Sequence, residues 1–228
     1  MEKDRPDEPA QAKIVRERVE EEANRRVSLI GNEFAKGFDV IRDYPKSVTF
    51  FGSSRLSESH PYYKKAQEVA HRLSDDGFTV VTGGGPGIME AANRGAFEAG
   101  GDSLGFSIEL PFEQVINKYV TKSLSFNYFF SRKVMLAFSA EAYIYFPGGF
   151  GTLDEFFEIV TLVQTQKIPR VPIILVGDEF WGALDDFIHN MLVNKYQTIG
   201  PEDEELYTMT EDIDEISKIV KNAPKRKE

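Results

Sequence analysis

Beyond Tyr44-Pro45 the chain moves between two hydrophobic rhythms. Ser47 to Phe51, Phe78 to Thr82, Ser103 to Ile108, Ala142 to Phe146 and Val171 to Val176 are short apolar runs with the length and residue types of strands. Between them, apolar residues recur at helical spacing in Pro61 to Asp75, Gly87 to Ala99, Tyr128 to Ser139 and Thr152 to Gln164. Strands that are apolar almost throughout must be covered on both faces, and their alternation with helices predicts a parallel sheet. The expected fold class is α/β, a doubly wound parallel sheet. Trp181 to Val193 reads as a further covering helix, Ile213 to Val220 as a short terminal one, and Gly200 to Glu205 as a solvated acidic connection.

Upstream, from about Pro9 to Lys36, charged residues alternate with Ile14, Val15, Val19, Val27, Leu29, Ile30 and Phe34, which favours a helix with one apolar stripe. The pattern divides the chain into an N-terminal helical arm over 1–45, an α/β domain over 46–222 and a basic tail over 223–228. The arm either packs on the domain or a second subunit, or recruits a partner.

Composition narrows the functional classes. Of the 228 residues 41% are hydrophobic and 28% charged, so a mostly disordered chain is not expected. No apolar run approaches a membrane span and the N-terminus is charged, which leads to the expectation of a cytoplasmic protein without a membrane partner. The absence of cysteine removes thiolate chemistry and Cys-ligated zinc, and no metal site is expected. A net charge of -10 argues against binding a nucleic-acid backbone, while leaving room for a local pocket that holds one phosphate.

In an open parallel sheet, ligands sit beyond the carboxyl ends of strands, where a loop enters a helix whose first N–H groups are unpaired. Three such loops occur: Gly52-Ser53-Ser54-Arg55, Gly83-Gly84-Gly85-Pro86-Gly87, and Pro147-Gly148-Gly149-Phe150-Gly151-Thr152. Glycine lets backbone donors approach an anion, and the helix dipole favours negative charge there. One loop of this kind is often only a tight turn. The second and third together, with the Thr152 hydroxyl at a helix entrance, point to a Rossmann-like nucleotide site, to which Gly52, Ser53, Gly84, Gly85 and Gly87 also belong. No loop is followed by the Gly-Lys-Ser/Thr of a Walker A motif, and none opens a clean dinucleotide fingerprint, so neither ATPase chemistry nor a bound NAD is expected.

Glu155 stands three residues beyond Thr152, where a carboxylate could simply complete a capping box. Arg132 and Lys133, on an otherwise apolar helix, could be surface charges. Together they suggest more: Arg132 and Lys133 neutralise a phosphate or hold the ligand while Glu155 faces the sugar. Cleaving an N-glycosidic bond develops positive charge on ribose, which a carboxylate stabilises while activating water.

At these residues the chain resembles the Lonely Guy family of cytokinin riboside monophosphate phosphoribohydrolases, long labelled as lysine decarboxylases. The family pattern Pro-Gly-Gly-x-Gly-Thr-x-x-Glu is matched from Pro147 to Glu155 and the Arg-Lys pair by Arg132 and Lys133; the resemblance runs from about Val48 to Val193. It implies catalytic roles for Arg132 and Glu155, with Gly148, Gly149, Gly151 and Thr152 around the phosphate. It also implies that Lys133, Glu113 and Thr161 line the nucleotide site, and that the chain forms a homodimer or higher oligomer with the site near the subunit boundary. Where plant-type members have Met-His, this chain has Phe129-Phe130, so AMP or another purine monophosphate is as credible a substrate as a cytokinin precursor. No Ser-x-His-Lys-type segment supports the decarboxylase label. The expected reaction is hydrolysis of a purine nucleoside 5′-monophosphate to free base and ribose 5-phosphate, without a cofactor. The alternatives are a non-catalytic nucleotide or cofactor carrier on the same fold, and a protein that handles single-stranded DNA.

Overall fold

The computed structural model describes residues 10–110 and 115–224. A long helix, α1 (Ala10–Asp43), leads into the alternating unit β1 (Ser47–Phe51), α2 (Pro61–Asp75), β2 (Thr79–Thr82), α3 (Ile88–Glu98) and β3 (Ser103–Ile108). There follow β4 (Lys122–Phe126), α4 (Phe129–Phe138), β5 (Ala142–Tyr145), α5 (Phe150–Gln164), β6 (Ile173–Leu175) and α6 (Asp178–Phe187). A π-helical turn over Ile188–Lys195, a 3₁₀ turn over Pro201–Leu206, β7 (Thr208–Met209) and α7 (Ile213–Lys221) complete the order.

All seven strands pair in parallel, in the order β4-β3-β2-β1-β5-β6-β7. The doubly wound sheet is the one expected from the apolar runs. The physical cause is visible in β1, β2, β3, β5 and β6, in which every residue is buried. One core, containing Leu73, Val80, Ile88 and Ile216, lies under α2, α3 and α7. The other, containing Phe106, Met135, Tyr145, Phe156 and Trp181, lies under α4, α5 and α6.

Four elements depart from the pattern-based expectation. The helix expected to end near Lys36 instead runs on to Asp43, because Gly37 and Ile41 pack inward and its C-terminal portion lies on α4. β4 escaped notice because it is an edge strand, with Lys122, Ser123 and Ser125 exposed and only Phe126 buried, so it lacks the apolar run of its neighbours. The two-residue β7 is likewise exposed. Helix α5 begins at Phe150, two residues before the expected start, since the Gly149 carbonyl already accepts the N–H groups of Thr152 and Leu153. Among the described residues no helix is long and apolar enough to cross a membrane.

Candidate active site

The strand order decides which loops meet. From β1 the chain winds outward through β2, β3 and β4, then returns to place β5 on the other side of β1. The crevice between the ends of β1 and β5 is therefore the topological switch point, where ligands bind in sheets of this kind. The loops beyond those two strands are Gly52 to Arg55 and Pro147 to Thr152. Ser53 stitches all three glycine-rich loops together: its N–H donates to the Pro147 carbonyl (3.0 Å), and its own carbonyl accepts the N–H of Ile88 (3.0 Å). Gly87, at φ +71°, has no room for a side chain because its Cβ would overlap the backbone of Ser53 and Ser54.

A cleft of ≈ 540 Å³ opens at this junction. It is lined by Gly52, Ser53, Ser54 and Arg55 from the first loop, Gly83 and Met89 from the second, and Phe129 and Arg132 from α4. Gly149, Phe150, Gly151, Thr152, Asp154 and Glu155 line it from the third loop and α5. Two grooves of ≈ 510 and ≈ 600 Å³ lie elsewhere, lined largely by charged and polar helix and loop surfaces rather than by the ends of β1 and β5.

The first residues of α5 supply the anion-binding part. Gly149 is its N-cap and no side chain caps it, so the N–H groups of Phe150 and Gly151 have no acceptor within the helix. A Cβ on Gly149 or Gly151 would meet open space, so those glycines leave the cleft clear. Gly148 is excluded from carrying a side chain by Thr152, against which it packs. Because α5 starts at Phe150, Thr152 and Glu155 are its third and sixth residues, and Glu155 stands in the second turn without a capping role.

Glu155 is only 6% exposed, and its Oε2 has no hydrogen-bond partner. Burial pushes its pKa up from 4.5 to about 7; Lys133 pulls it back, Glu158 adds to the rise, and Arg132 opposes it. The group is thus poised between acid and base near neutrality, which is what proton transfer at that pH needs. Arg132 crosses over Gly83, where a Cβ would strike the guanidinium, and its Nε donates to the Phe106 carbonyl (2.8 Å). Burial lowers its pKa and the attraction of Glu155 opposes the change, but a guanidinium keeps its charge in proteins. An uncapped helix start, a fixed cation and a buried carboxyl therefore share one cleft.

Of the remaining residues singled out in the sequence, those that are described do not line the cleft. Lys133 is not itself a lining residue, but its Nζ lies 2.8 Å from Asp154, which lines the cleft, and 3.0 Å from Glu158; partial burial disfavours its charge, but those bonds outweigh it and raise its pKa. Thr161 is exposed near the far end of α5, outside the cleft lining. Gly84 and Gly85 turn their carbonyls to Asn117 Nδ2 (3.1 and 3.0 Å), and Asn117 in turn bonds Asn93 Oδ1 at 2.9 Å. The second loop is thereby tied to the β3–β4 connection and, through Asn93, to α3, with Gly83 as its cleft-lining glycine. Glu113 lies outside the described residues, as do 1–9 of the arm and 225–228 of the tail.

The sequence reading did not single out Phe50, Phe51, Gly83, Met89, Phe150 and Asp154 as cleft residues, whereas Phe129, which it did tie to base preference, is in the lining. Gly83 carried a signal, since it is the first residue after β2 and is too small to obstruct anything reaching over it. Phe150, 93% exposed between two glycines, carried another, because so large an apolar side chain has no local reason to be there.

The family model described as possible lysine decarboxylase matches residues 89–220. A cytokinin riboside 5′-monophosphate phosphoribohydrolase of Rhodococcoides fascians is 26% identical over 160 residues, 69% of this chain and 81% of that protein. An enzyme of the same name from Arabidopsis thaliana is 28% identical over 147 residues, 64% of this chain and 68% of that protein. Among solved structures, the molybdenum cofactor binding protein of Rippkaea orientalis superposes with a TM-score of 0.59 at 19% identity, covering 78% of this chain and 96% of that one. At that identity the likeness shows the fold alone.

Proposed function

The chain belongs to the family described as possible lysine decarboxylase, the Lonely Guy family, and from that premise we propose that it hydrolyses the N-glycosidic bond of a purine nucleoside 5′-monophosphate. The observation that carries this reading is the buried carboxyl of Glu155, pushed up to about 7 and facing the same cleft as Arg132 and the start of α5.

In this reading the 5′-phosphate takes the N–H groups of Phe150 and Gly151 and the Thr152 hydroxyl, with Ser53 and Ser54 on the opposite wall. Arg132 holds the nucleotide electrostatically. The ribose then lies against Glu155. As the C1′–N bond breaks, its electron pair leaves on the base and positive charge builds on the sugar, which the ionised Glu155 stabilises. Water adds to C1′, Glu155 takes one of its protons, and that proton ends on the departing base. Met89 and Phe129 supply an apolar wall for a planar base. Lysine decarboxylation is the weaker reading, because among the described residues no lysine lines the cleft.

The substrate can be cytokinin riboside monophosphate, as in the names of the relatives, or AMP; Phe129 in the cleft wall bears on which. A dimer also belongs to this proposal, since Phe129, Phe130 and Phe138 on α4 and Phe150 and Phe157 on α5 are exposed apolar side chains that a second copy would cover. Incubating the protein with AMP and with isopentenyladenosine monophosphate and following release of free base by chromatography tests the activity. Release of base with ribose 5-phosphate supports hydrolysis. Binding with no release from any nucleotide in a panel would instead make the protein a nucleotide carrier.

A further inference from the structure

Arg132 is presented by a short helix whose own sequence does little to hold its start: the N-cap Tyr128 makes no side-chain capping bond. What holds that corner is the arm. Glu33, on α1, is 9% exposed and is the buried acidic residue of the described part of the arm. By contrast, Glu22 and Asp39 form exposed ion pairs with Arg25, Arg26 and Arg42. Oε1 of Glu33 accepts two hydrogen bonds from Asn127, one from the main-chain N–H at 2.7 Å and one from Nδ2 at 3.1 Å. Asn127 is the single residue between the end of β4 and Tyr128. Hydrogen bonds to a carboxylate are the strong kind, and a negative charge beside a helix N-terminus is favoured by the dipole.

One turn further along the arm, Gly37 presses so closely on α4 that a Cβ there would overlap Met135. Arg132 lies between the two contact points, Asn127 and Met135, and its main-chain N–H donates to the Tyr128 carbonyl at 3.2 Å. The start of α4 is therefore clamped by α1 on either side of the cleft arginine.

We propose that Glu33 is a positioning residue which, through Asn127, sets the placement of α4 and so delivers the Arg132 guanidinium to the nucleotide cleft. The N-terminal arm is then part of the active-site architecture. The inference rests on the proposed nucleotide activity for its kinetic readout, and it has a second readout that does not.

The test compares wild type, Glu33→Ala and Glu33→Gln in the full chain. Removing the acceptor with alanine is expected to lower kcat/KM for AMP by about tenfold to a hundredfold, the scale of a misplaced binding group. Glutamine keeps an acceptor oxygen and is expected to recover most of that loss. In an Arg132→Ala background, Glu33→Ala is expected to cost nothing more, because the group it positions is already gone. An equal further loss there would overturn the proposal.

The independent readout is site-resolved labelling of arginines by phenylglyoxal, quantified by mass spectrometry. Arg132 is expected to label several-fold faster in Glu33→Ala while Arg94 keeps its rate; an unchanged Arg132 rate would overturn the positioning role. Should Glu33→Ala fail to fold, Asn127→Ala, which leaves the main-chain bond in place, is expected to show a smaller change in the same direction in both readouts. No change in either would overturn the proposal. Wild type inactive on every nucleotide would sink the hydrolase reading, and labelling alone would then decide the role of Glu33.

Discussion

Replacing Glu155 with Gln separates the energetic cost of the site from its chemistry. In the folded chain, burial first of all raises the Glu155 pKa from 4.5 to about 7, with Lys133 and Arg132 pulling in the other direction. In the unfolded chain the same carboxyl ionises near 4.5. Between those two pH values the native state therefore holds a proton that the unfolded state has lost, and stability falls as pH rises. This is the reverse of the usual ion-paired carboxylate. The loss from this one group reaches about 1 kcal/mol at pH 5 and about 3 kcal/mol at pH 8, where it levels off. Gln does not ionise and escapes it. Relative to wild type, E155Q is thus expected to gain about 2.5 kcal/mol between pH 5 and pH 8. In a chain of this size that is roughly 5–10 °C in melting temperature. Urea and thermal denaturation of both proteins at four pH values read the effect as a difference curve, in which the other carboxylates cancel. A flat difference would refute the claim that this carboxyl is destabilised by its burial. A difference that shrinks with pH would mean that Arg132 and Lys133 win over desolvation.

The chemical half of the same variant is separate: E155Q is expected to bind AMP with near wild-type affinity by calorimetry while base release drops by about 10²–10⁴-fold, and unchanged turnover would remove Glu155 from the mechanism. With Glu155 as the proton acceptor, kcat/KM of wild type is expected to rise about tenfold per pH unit below its pKa and to flatten above about 7; a rate that falls over that range would assign it the acid role. Gly149→Val should cost only the modest penalty of a poor N-cap, since a Cβ there meets nothing within 4 Å, yet weaken nucleotide binding by obstructing the start of α5; equal affinity in equilibrium dialysis would argue against the phosphate assignment. Gly87→Ala is expected to do the opposite kind of damage, costing about 1–3 kcal/mol of stability through its positive φ and the overlap with Ser53 and Ser54, and a melting temperature equal to wild type would show the loop clasp to be slack.

The apolar runs sufficed to predict the fold because β1, β2, β3, β5 and β6 are buried on both faces, and a strand in that position has few polar residues to spare. The same logic hid β4 and β7, which lie at the edges and need no such runs. At the candidate site, Arg132, Glu155 and the third loop were legible from residue type and spacing, and the structure brings them into one cleft. Their convergence was not legible, since α4 and α5 are separated by β5 in the chain.

By itself the sequence determined the alternation of strand and helix, the three glycine-rich loops at strand ends, and the pairing of a cation with a carboxyl near the third. Those properties are local: they follow from which side chains neighbour one another along a few turns or a single strand. Only the tertiary structure decided that β5 returns beside β1, so that Gly52 and Ser53 face the third loop while Asn117, in the β3–β4 connection, holds the carbonyls of Gly84 and Gly85. It also decided that Arg132 turns over Gly83 whereas adjacent Lys133 pairs with Asp154 and Glu158, and that Glu33 is buried at Asn127. Each of these depends on which strands pair and which helix faces meet. Such choices are settled by burial and hydrogen bonding between segments far apart in the chain, which leave no periodicity in any one of them.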